Sequence, residues 1–425
     1  MNKVDTLILP KGWELKKLED LGADIPYPIG DGDHGQIKPK DYTTEGVPYI
    51  RVGDFGWGEF IPKKMVFISH KVHQNNLKSK LVPGDILLAK TGATIGKCCI
   101  IPDSIKEANT TSSVGKITVD QNKVMSRWIL LWFLTPGFLK FIWSISNRAA
   151  QPGFNNRDIK LFKIPLPPLP EQQRIIAILD EAFAAIAKAK ANAEQNLKNS
   201  KELFDNYLQG VFENPKENWE KKKWGDLCEF VRGPFGGSLK KSIFKQEGYV
   251  VYEQKHAIHD HFNQLRYFID EDKFNEMIRF EVKPGDIIMS CSGVTLGRVA
   301  IVPEDIQRGI INQALLKLTP KKNVSVHFIK HWLRSNIFQK IIFDYAGGAA
   351  IPNVPAAKIL KDILIPYPSL KEQNKVVDNI ELMLVETQKL EAIYQQKIND
   401  LEELKKSVLQ KAFSGELKIK KEAIL

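Results

Sequence analysis

The strongest constraint on this chain is that it repeats itself at a spacing of 201 residues. The segment IPLPPLPEQQRII (Ile164 to Ile176) returns as IPYPSLKEQNKVV (Ile365 to Val377). PGDILLAKTGATIGKCCIIP (Pro83 to Pro102) returns as PGDIIMSCSGVTLGRVAIVP (Pro284 to Pro303). Leu208, Gln209 and Phe212 match Leu409, Gln410 and Phe413 at that same spacing, and Trp13-Glu14 matches Trp219-Glu220 at 206. Distant segments that share one spacing mark a tandem duplication. Between them the match fades, and Lys38 to His73 has no recognisable partner in the second half.

Each copy divides into a globular part (1–165 and 214–365) and a helical part (166–213 and 366–425). The globular parts carry short β-branched and aromatic runs such as VPYIRV, DILLA, YVVYE and DIIMS, broken by Gly, Pro, Asn and Asp. This predicts strand-rich, mixed α+β domains. One helix is expected near Ser126 to Ile145 and its counterpart near Val326 to Phe343. Pro165, Pro167, Pro168 and Pro170 end the first globular part and stiffen the entry to a long helix.

That helix places apolar residues at Ile175, Leu179, Ala182, Ile186, Ala189 and Ala193, then at Leu197, Phe204, Leu208 and Val211, with an extra step that reads as a stutter. The second helix carries Ile380, Leu384, Leu390, Tyr394, Ile398, Leu401 and Val408. Both patterns are those of coiled-coil partner helices. At ~1.5 Å per residue each would run about 60 Å, longer than a domain of this size is wide.

The net charge of +11 is unevenly placed. Residues 1–165 hold 23 Lys and Arg against 16 Asp and Glu, and residues 214–365 hold 23 against 17, whereas 166–213 is slightly acidic and 366–425 neutral. Globular parts that meet a polyanion and helices that meet protein are the expectation. Four cysteines (Cys98, Cys99, Cys228, Cys291) without a C-x-x-C do not make a disulfide framework. The first residues lack the apolar core of a signal peptide, and the longest apolar run, Ile129 to Leu134, is far too short for a membrane span. A cytoplasmic protein is expected.

The Gly92-Ala93-Thr94-Ile95-Gly96-Lys97 loop is one residue short of a nucleotide-binding P-loop, puts Cys98 where a magnesium-holding hydroxyl belongs, and is followed by a strand-like run. Its copy, Gly293-Val294-Thr295-Leu296-Gly297-Arg298, keeps both glycines, the threonine and the cation. Backbone N–H groups, a hydroxyl and a cation can grip a DNA phosphate without reading bases. Thr91, Thr94, Lys97, Ser292, Thr295 and Arg298 are therefore the phosphate candidates; the alternative is a plain glycine turn. Arg51, Asn155, Asn156, Gln264 and Arg266 are weaker candidates for base contact, since Arg, Asn and Gln suit bidentate contacts. His256, His259 and His261, beside Glu253 and Asp260, could ligate a metal, but the first half has no equivalent. Gly233-Pro234-Phe235-Gly236-Gly237 places a proline where a phosphate cradle wants an N–H. With neither an N-P-P-[YF] tetrapeptide nor a nucleophile elbow, a non-catalytic binding subunit is expected.

Two dissimilar globular parts alternating with two similar helices, each helix entered through Ile-Pro-x-Pro-x-Leu-x-Glu-Gln, with Pro-Gly-Asp-Ile and Gly-x-Thr-x-Gly-(Lys/Arg) in each globular part, resemble the specificity (S) subunits of type I DNA restriction-modification enzymes. The resemblance covers essentially the whole chain and is most specific at Glu171-Gln172 and Glu372-Gln373. It implies two target recognition domains separated by two long antiparallel coiled-coil helices in a pseudo-two-fold repeat, reading a bipartite, asymmetric site on double-stranded DNA. It further implies two modification (methyltransferase) subunits docked on the helices, restriction subunits joining them, and S-adenosylmethionine, ATP and Mg2+ held in those partners with no cofactor here. The rivals are a metal-dependent hydrolase built on the histidines and a coiled-coil scaffold that binds no DNA.

Overall fold

The computed structural model describes residues 9–146, 152–345 and 352–417. The chain forms two compact units: Met1–Ala193 with Gln396–Leu425, and Glu194–Gln395. Each unit combines one globular part with a stretch of both long helices, so each helix passes from one unit into the other.

In the first unit the strands Ile29–Asp31, Val114–Ile117, Ile86–Ala89 and Cys98–Ile100 form a four-stranded antiparallel sheet in that order. The strand ILLA at Ile86–Ala89 is buried along its whole length. That is why it reads as a continuous apolar run rather than an alternating one. The second unit repeats the sheet with Cys228–Arg232, Leu315–Pro320, Ile287–Ser290 and Val299–Ile301.

A second sheet lies at the heart of the stretch in which the sequence shows no repeat. Val47–Ile50 pairs antiparallel with Val66–Ile68 and parallel with Ala108–Thr110. In the second unit Tyr249–Tyr252 pairs antiparallel with Phe268–Ile269 and parallel with Gly309–Ile311. Short helices follow at His70–Gln74 and Glu271–Glu276, capped by Ser69 and Asp270 through their side-chain oxygens. The duplication therefore runs through Lys38 to His73 as well. Backbone pairing survives replacement of nearly every side chain, provided buried positions stay apolar.

The single helices expected at 126–145 and 326–343 are each broken in two: Ser126–Phe133 with Pro136–Ser146, and Val326–Arg334 with Asn336–Tyr345. The first pair is bent by 69°. Thr135 and Ser335 make the breaks. Each hydroxyl donates back to a tryptophan carbonyl (Trp132, 2.8 Å; Trp332, 2.6 Å) and accepts from an N–H of the next helix (Phe138, 3.2 Å; Phe338, 3.4 Å). Among the described residues no single helix is long and apolar enough to cross a membrane.

The long helices are Leu169–Glu213 and Leu370–Ser414. In the first unit Lys190 meets Glu402 at 2.6 Å, Lys405 lies over the Phe183 ring, and Phe413 shares a core with Leu179 and Ile175. In the second, Leu208 and Phe212 share a core with Ile380. In the first unit rising numbers on one helix meet falling numbers on the other, so the pairing there is antiparallel. Between Ile186 and Phe204 the expected stutter does not occur. Ile186, Lys190, Ala193, Leu197, Ser200 and Phe204 are buried or half-buried in unbroken steps of four and three. Ser200 fills the position where no apolar residue stands, and its hydroxyl donates to Asn196 O at 2.8 Å. On the second helix Leu390 is exposed, and Thr387, bonded to Met383 O at 2.9 Å, takes the buried place.

Gln172 and Gln373 explain the Glu-Gln motif. Both are fully buried. Gln172 Oε1 accepts from Met125 N (2.9 Å) while its amide donates to the carbonyls of Pro167 (2.9 Å) and Lys123 (3.2 Å). Gln373 accepts from Ser325 N (2.8 Å) and donates to Pro368 O (2.9 Å). Each glutamine latches the start of a long helix to the loop that opens the Ser126–Phe133 or Val326–Arg334 helix of its own globular part. A second tie joins Asp180 to Arg127 (2.6 Å) and Glu381 to His331 (2.8 Å).

Candidate nucleic-acid interface

In each unit the loops leaving the two sheets meet in a lip built from backbone hydrogen bonds. In the first unit Lys90 N donates to Ser113 O (2.9 Å), Val114 N to Thr111 O (3.0 Å), Gly92 N to Pro152 O (3.1 Å) and Phe154 N to Lys90 O (3.2 Å). In the second unit the same bonds join Cys291 to Ala314 (2.9 Å), Leu315 to Asn312 (3.2 Å), Gly293 to Pro352 (2.9 Å) and Val354 to Cys291 (2.9 Å). The framework is shared while the side chains on it differ.

The Gly-x-Thr-x-Gly loops sit at the centre of this lip. Gly92, Gly96, Gly293 and Gly297 all have φ between +72° and +91°, a region costly for other residues. A Cβ on Gly297 would also lie 2.2 Å from Ile342 Cδ1. One expectation is corrected here. The N–H groups of Gly92, Ile95, Gly96 and Lys97 are bonded to Pro152, Gly92, Ala89 and Thr94 carbonyls, so these four are not available to a phosphate. What the loops can present are side chains. Thr91, Thr94 and Lys97 are half-buried, as are Ser292 and Thr295, and Arg298 is exposed. Among the described residues neither Lys97 nor Arg298 is engaged in an ion pair. Ser292 accepts from the Gln254 amide through Oγ (3.0 Å) and its carbonyl (3.1 Å).

The weaker candidates are more committed to the fold. Arg51 donates to Lys64 O at 2.8 Å, and its backbone N–H donates to Asp54 at 2.8 Å. Asn155 caps the short helix Asn156–Lys160, accepting from Arg157 N and Asp158 N. Asn156 accepts from Lys90 Nζ at 3.1 Å. The lip brings these two asparagines beside Thr91, whose backbone bridges to Gly153. Gln264 is exposed with φ of 63° and Arg266 lies over the Tyr267 ring, both in the loop between Gln254–His259 and Phe268–Ile269.

Three features escaped the sequence reading. Gly32 and Gly233, 201 apart, pass so close to the neighbouring strand that a Cβ would lie 1.9 Å from Thr110 O or Asn312 O. The repeat spacing itself could have flagged them. Lys90, only 4% exposed, bonds Asp31 at 2.6 Å. Burial opposes the Asp31 carboxylate, yet the bonds from Lys90 and Asn156 hold its pKa below the ordinary value. At the same positions the second unit has Cys291 and Arg232, a substitution that long-range contact alone could reveal. Lys116 and Lys317 are likewise turned inward, onto the carbonyls of Lys80 (2.9 Å) and Glu281 (2.5 Å). Part of the positive surplus therefore serves the interior.

Among the described residues no group of three or more His, Cys, Asp or Glu side chains is arranged to hold a metal ion. His256 is fully buried, and its Nδ1 accepts from Glu253 N at 2.9 Å. Burial pushes its pKa below 6.5, and burial does the same to His331 against the pull of Glu381. In the pH window just below 6.5 the unfolded chain binds protons that the fold excludes, so stability falls as pH drops through it. Melts at about pH 7.5 and about pH 5.5 should show this loss. His256→Asn, which keeps an acceptor near the Nδ1 position, should reduce it; an unchanged pH dependence would assign the effect elsewhere.

A family model described as the type I restriction modification DNA specificity domain matches residues 10–198 and again 216–405. The chain belongs to this family. A specificity subunit of the type I restriction enzyme MjaIX from Methanocaldococcus jannaschii is 23% identical over 97% of this chain and 95% of its own length. That of EcoBI from Escherichia coli is 24% identical over 88% and 80%. The HsdS subunit from Thermoanaerobacter tengcongensis shares the fold, with a TM-score of 0.66 at 18% identity over 96% of this chain and 98% of that one. A chain from a solved type I R-M system superposes with a TM-score of 0.73 at 19% identity, over 96% and 99%. As a type I specificity subunit the chain recognises DNA and is not itself the enzyme; catalytic activities belong to partner subunits. Nothing in these likenesses favours a hydrolase or a scaffold that binds no DNA.

Proposed function

We propose that residues 1–165 and 214–365 are two target recognition domains that each read one half of a bipartite, asymmetric duplex site. The observation that carries this reading is the lip: one backbone framework in both units, carrying different side chains. Such an arrangement supports two readers that hold DNA alike and read it differently. Thr91, Thr94, Lys97, Ser292, Thr295 and Arg298 supply phosphate contacts. Of the weaker set, Gln264 and Arg266 keep exposed side chains suited to bases, whereas Arg51, Asn155 and Asn156 act by shaping the lip. Selection from random duplexes should return two fixed blocks with a constant gap; a single block would end the bipartite reading. Lys97→Ala with Arg298→Ala should lower the log–log salt slope of binding by about 2, one per lost phosphate contact. A slope equal to that of the unaltered protein would remove both residues from the phosphate set.

The helices carry two modification subunits, and through them restriction subunits; S-adenosylmethionine, ATP and Mg2+ act in those partners. Support comes from an apolar row on the second helix, where Leu382 is 62% and Ile393 59% exposed, with Val385 and Leu390 between them. Leu382→Lys with Ile393→Lys should abolish co-purification with an adenine-methyltransferase partner at an unchanged melting temperature. Full retention of the complex would place the dock elsewhere.

A further inference from the structure

Phe235 and Val294 are 90% and 91% exposed, the highest values of any large apolar side chain among the described residues. Both stand on fixed supports. Gly233 N donates to Leu315 O at 2.9 Å, Pro234 fixes the next φ, and Ser238 N donates to Phe235 O at 2.8 Å. Val294 is held between Gly293 N, bonded to Pro352 O at 2.9 Å, and Leu296 N, bonded to Gly293 O at 3.1 Å. The chain thus holds both side chains outward. The strands that deliver them, Cys228–Arg232 and Ile287–Ser290, each pair antiparallel with Leu315–Pro320. They therefore run parallel to one another, and both tips lie at one end of one sheet, on the lip.

The charge along the two segments that carry these tips favours one kind of occupant. From Arg232 to Lys245 there are Lys240 and Lys241 but no Asp or Glu, and from Ser290 to Arg298 there is again no acid. Exposed apolar tips on segments that carry cations and no acid suit a nucleic acid better than a protein surface, where the apolar centre is depleted of charge. In the major groove the apolar group that base edges display is the thymine methyl. Resting on the DNA-reading role given above, we propose that the second domain reads thymine in its half-site through Phe235 and Val294. The positions 201 earlier are His34 and Ala93, so this mode belongs to the second domain alone.

The test uses the full chain with its methyltransferase partner and a duplex selected from a random pool. Each thymine of the two selected blocks is replaced in turn by uracil, which removes only the methyl. In the block read by the second domain, one or two positions should weaken binding by about fourfold per buried methyl. Phe235→Ala with Val294→Ser should erase that penalty, and His34→Ala should leave it intact. Uracil tolerated at every position, or a penalty that persists in the double variant, would overturn the inference. So would equal weakening on thymine and uracil duplexes, which would make Phe235 a wedge between bases. A wild-type complex that selects no duplex would overturn the DNA-reading role itself, and a selected site without the thymine dependence only this refinement.

Discussion

Gly233→Ala is expected to lower the melting temperature by roughly 6–12 °C and to abolish selection of the DNA half-site read by the second domain. The added Cβ would lie 1.9 Å from Asn312 O, and a backbone oxygen cannot swing aside as a side chain can. Asn312 N is bonded to Tyr252 O at 3.0 Å, and Asn312 O accepts from Leu315 N. The clash must therefore be relieved by parting the loop from the strand end. Overpacking of this kind costs about 3 kcal/mol, near the top of the usual range. Gly32→Ala should do the same in the first unit through Thr110 O. Gly237→Ala is the control for stability: nothing lies within 4 Å of its Cβ, so melting should not change. Normal melting of Gly233→Ala would show that the lip yields easily and is not the rigid platform described.

Gln373→Ala should destabilise the second unit by about 3 kcal/mol. It strands the buried Pro368 O and the half-buried Ser325 N, at about 1–3 kcal/mol for each unpaired group. Gln172→Ala strands one more group, Lys123 O, and should cost at least as much. Glutamate is an informative second variant. It keeps the acceptor but loses the donor and adds a buried charge, so it should be no better than alanine. Equilibrium denaturation reads all three. If Gln373→Ala unfolds with the wild type, the Glu-Gln motif is not a latch, and its recurrence needs another cause.

The latch shows how a motif can be legible while its work is not. Glu-Gln stands out by repetition, yet only approach of the Ser126–Phe133 helix shows that the glutamine, not the glutamate, is buried. Glu171 bonds Arg174 and Glu372 bonds Lys216, both outside the core. Pro-Gly-Asp-Ile behaves likewise. Asp85 accepts from Val82 N (2.9 Å) and Thr118 Oγ1 (2.5 Å), closing a turn. Asp286 repeats both bonds with Lys283 and Thr319. Among the candidate contacts, Arg51, Asn155 and Asn156 had the right chemistry for bases but found partners inside the protein. A polar side chain advertises what it can bond, not what comes within reach of it.

The linear order of residues was enough to establish the duplication, the alternation of strand-rich parts with long helices, and the family. These rest on spacing and periodicity, which are local properties of the chain. Three things waited for the folded chain: that the repeat persists through Lys38 to His73, that Ser200 and Thr387 complete the helical seam, and that lip loops are tied by their own backbone. Backbone hydrogen bonds take no account of side-chain identity, so a shared framework can outlast any likeness in its letters. A buried hydroxyl bonded to its own helix can likewise stand where only an apolar residue was expected.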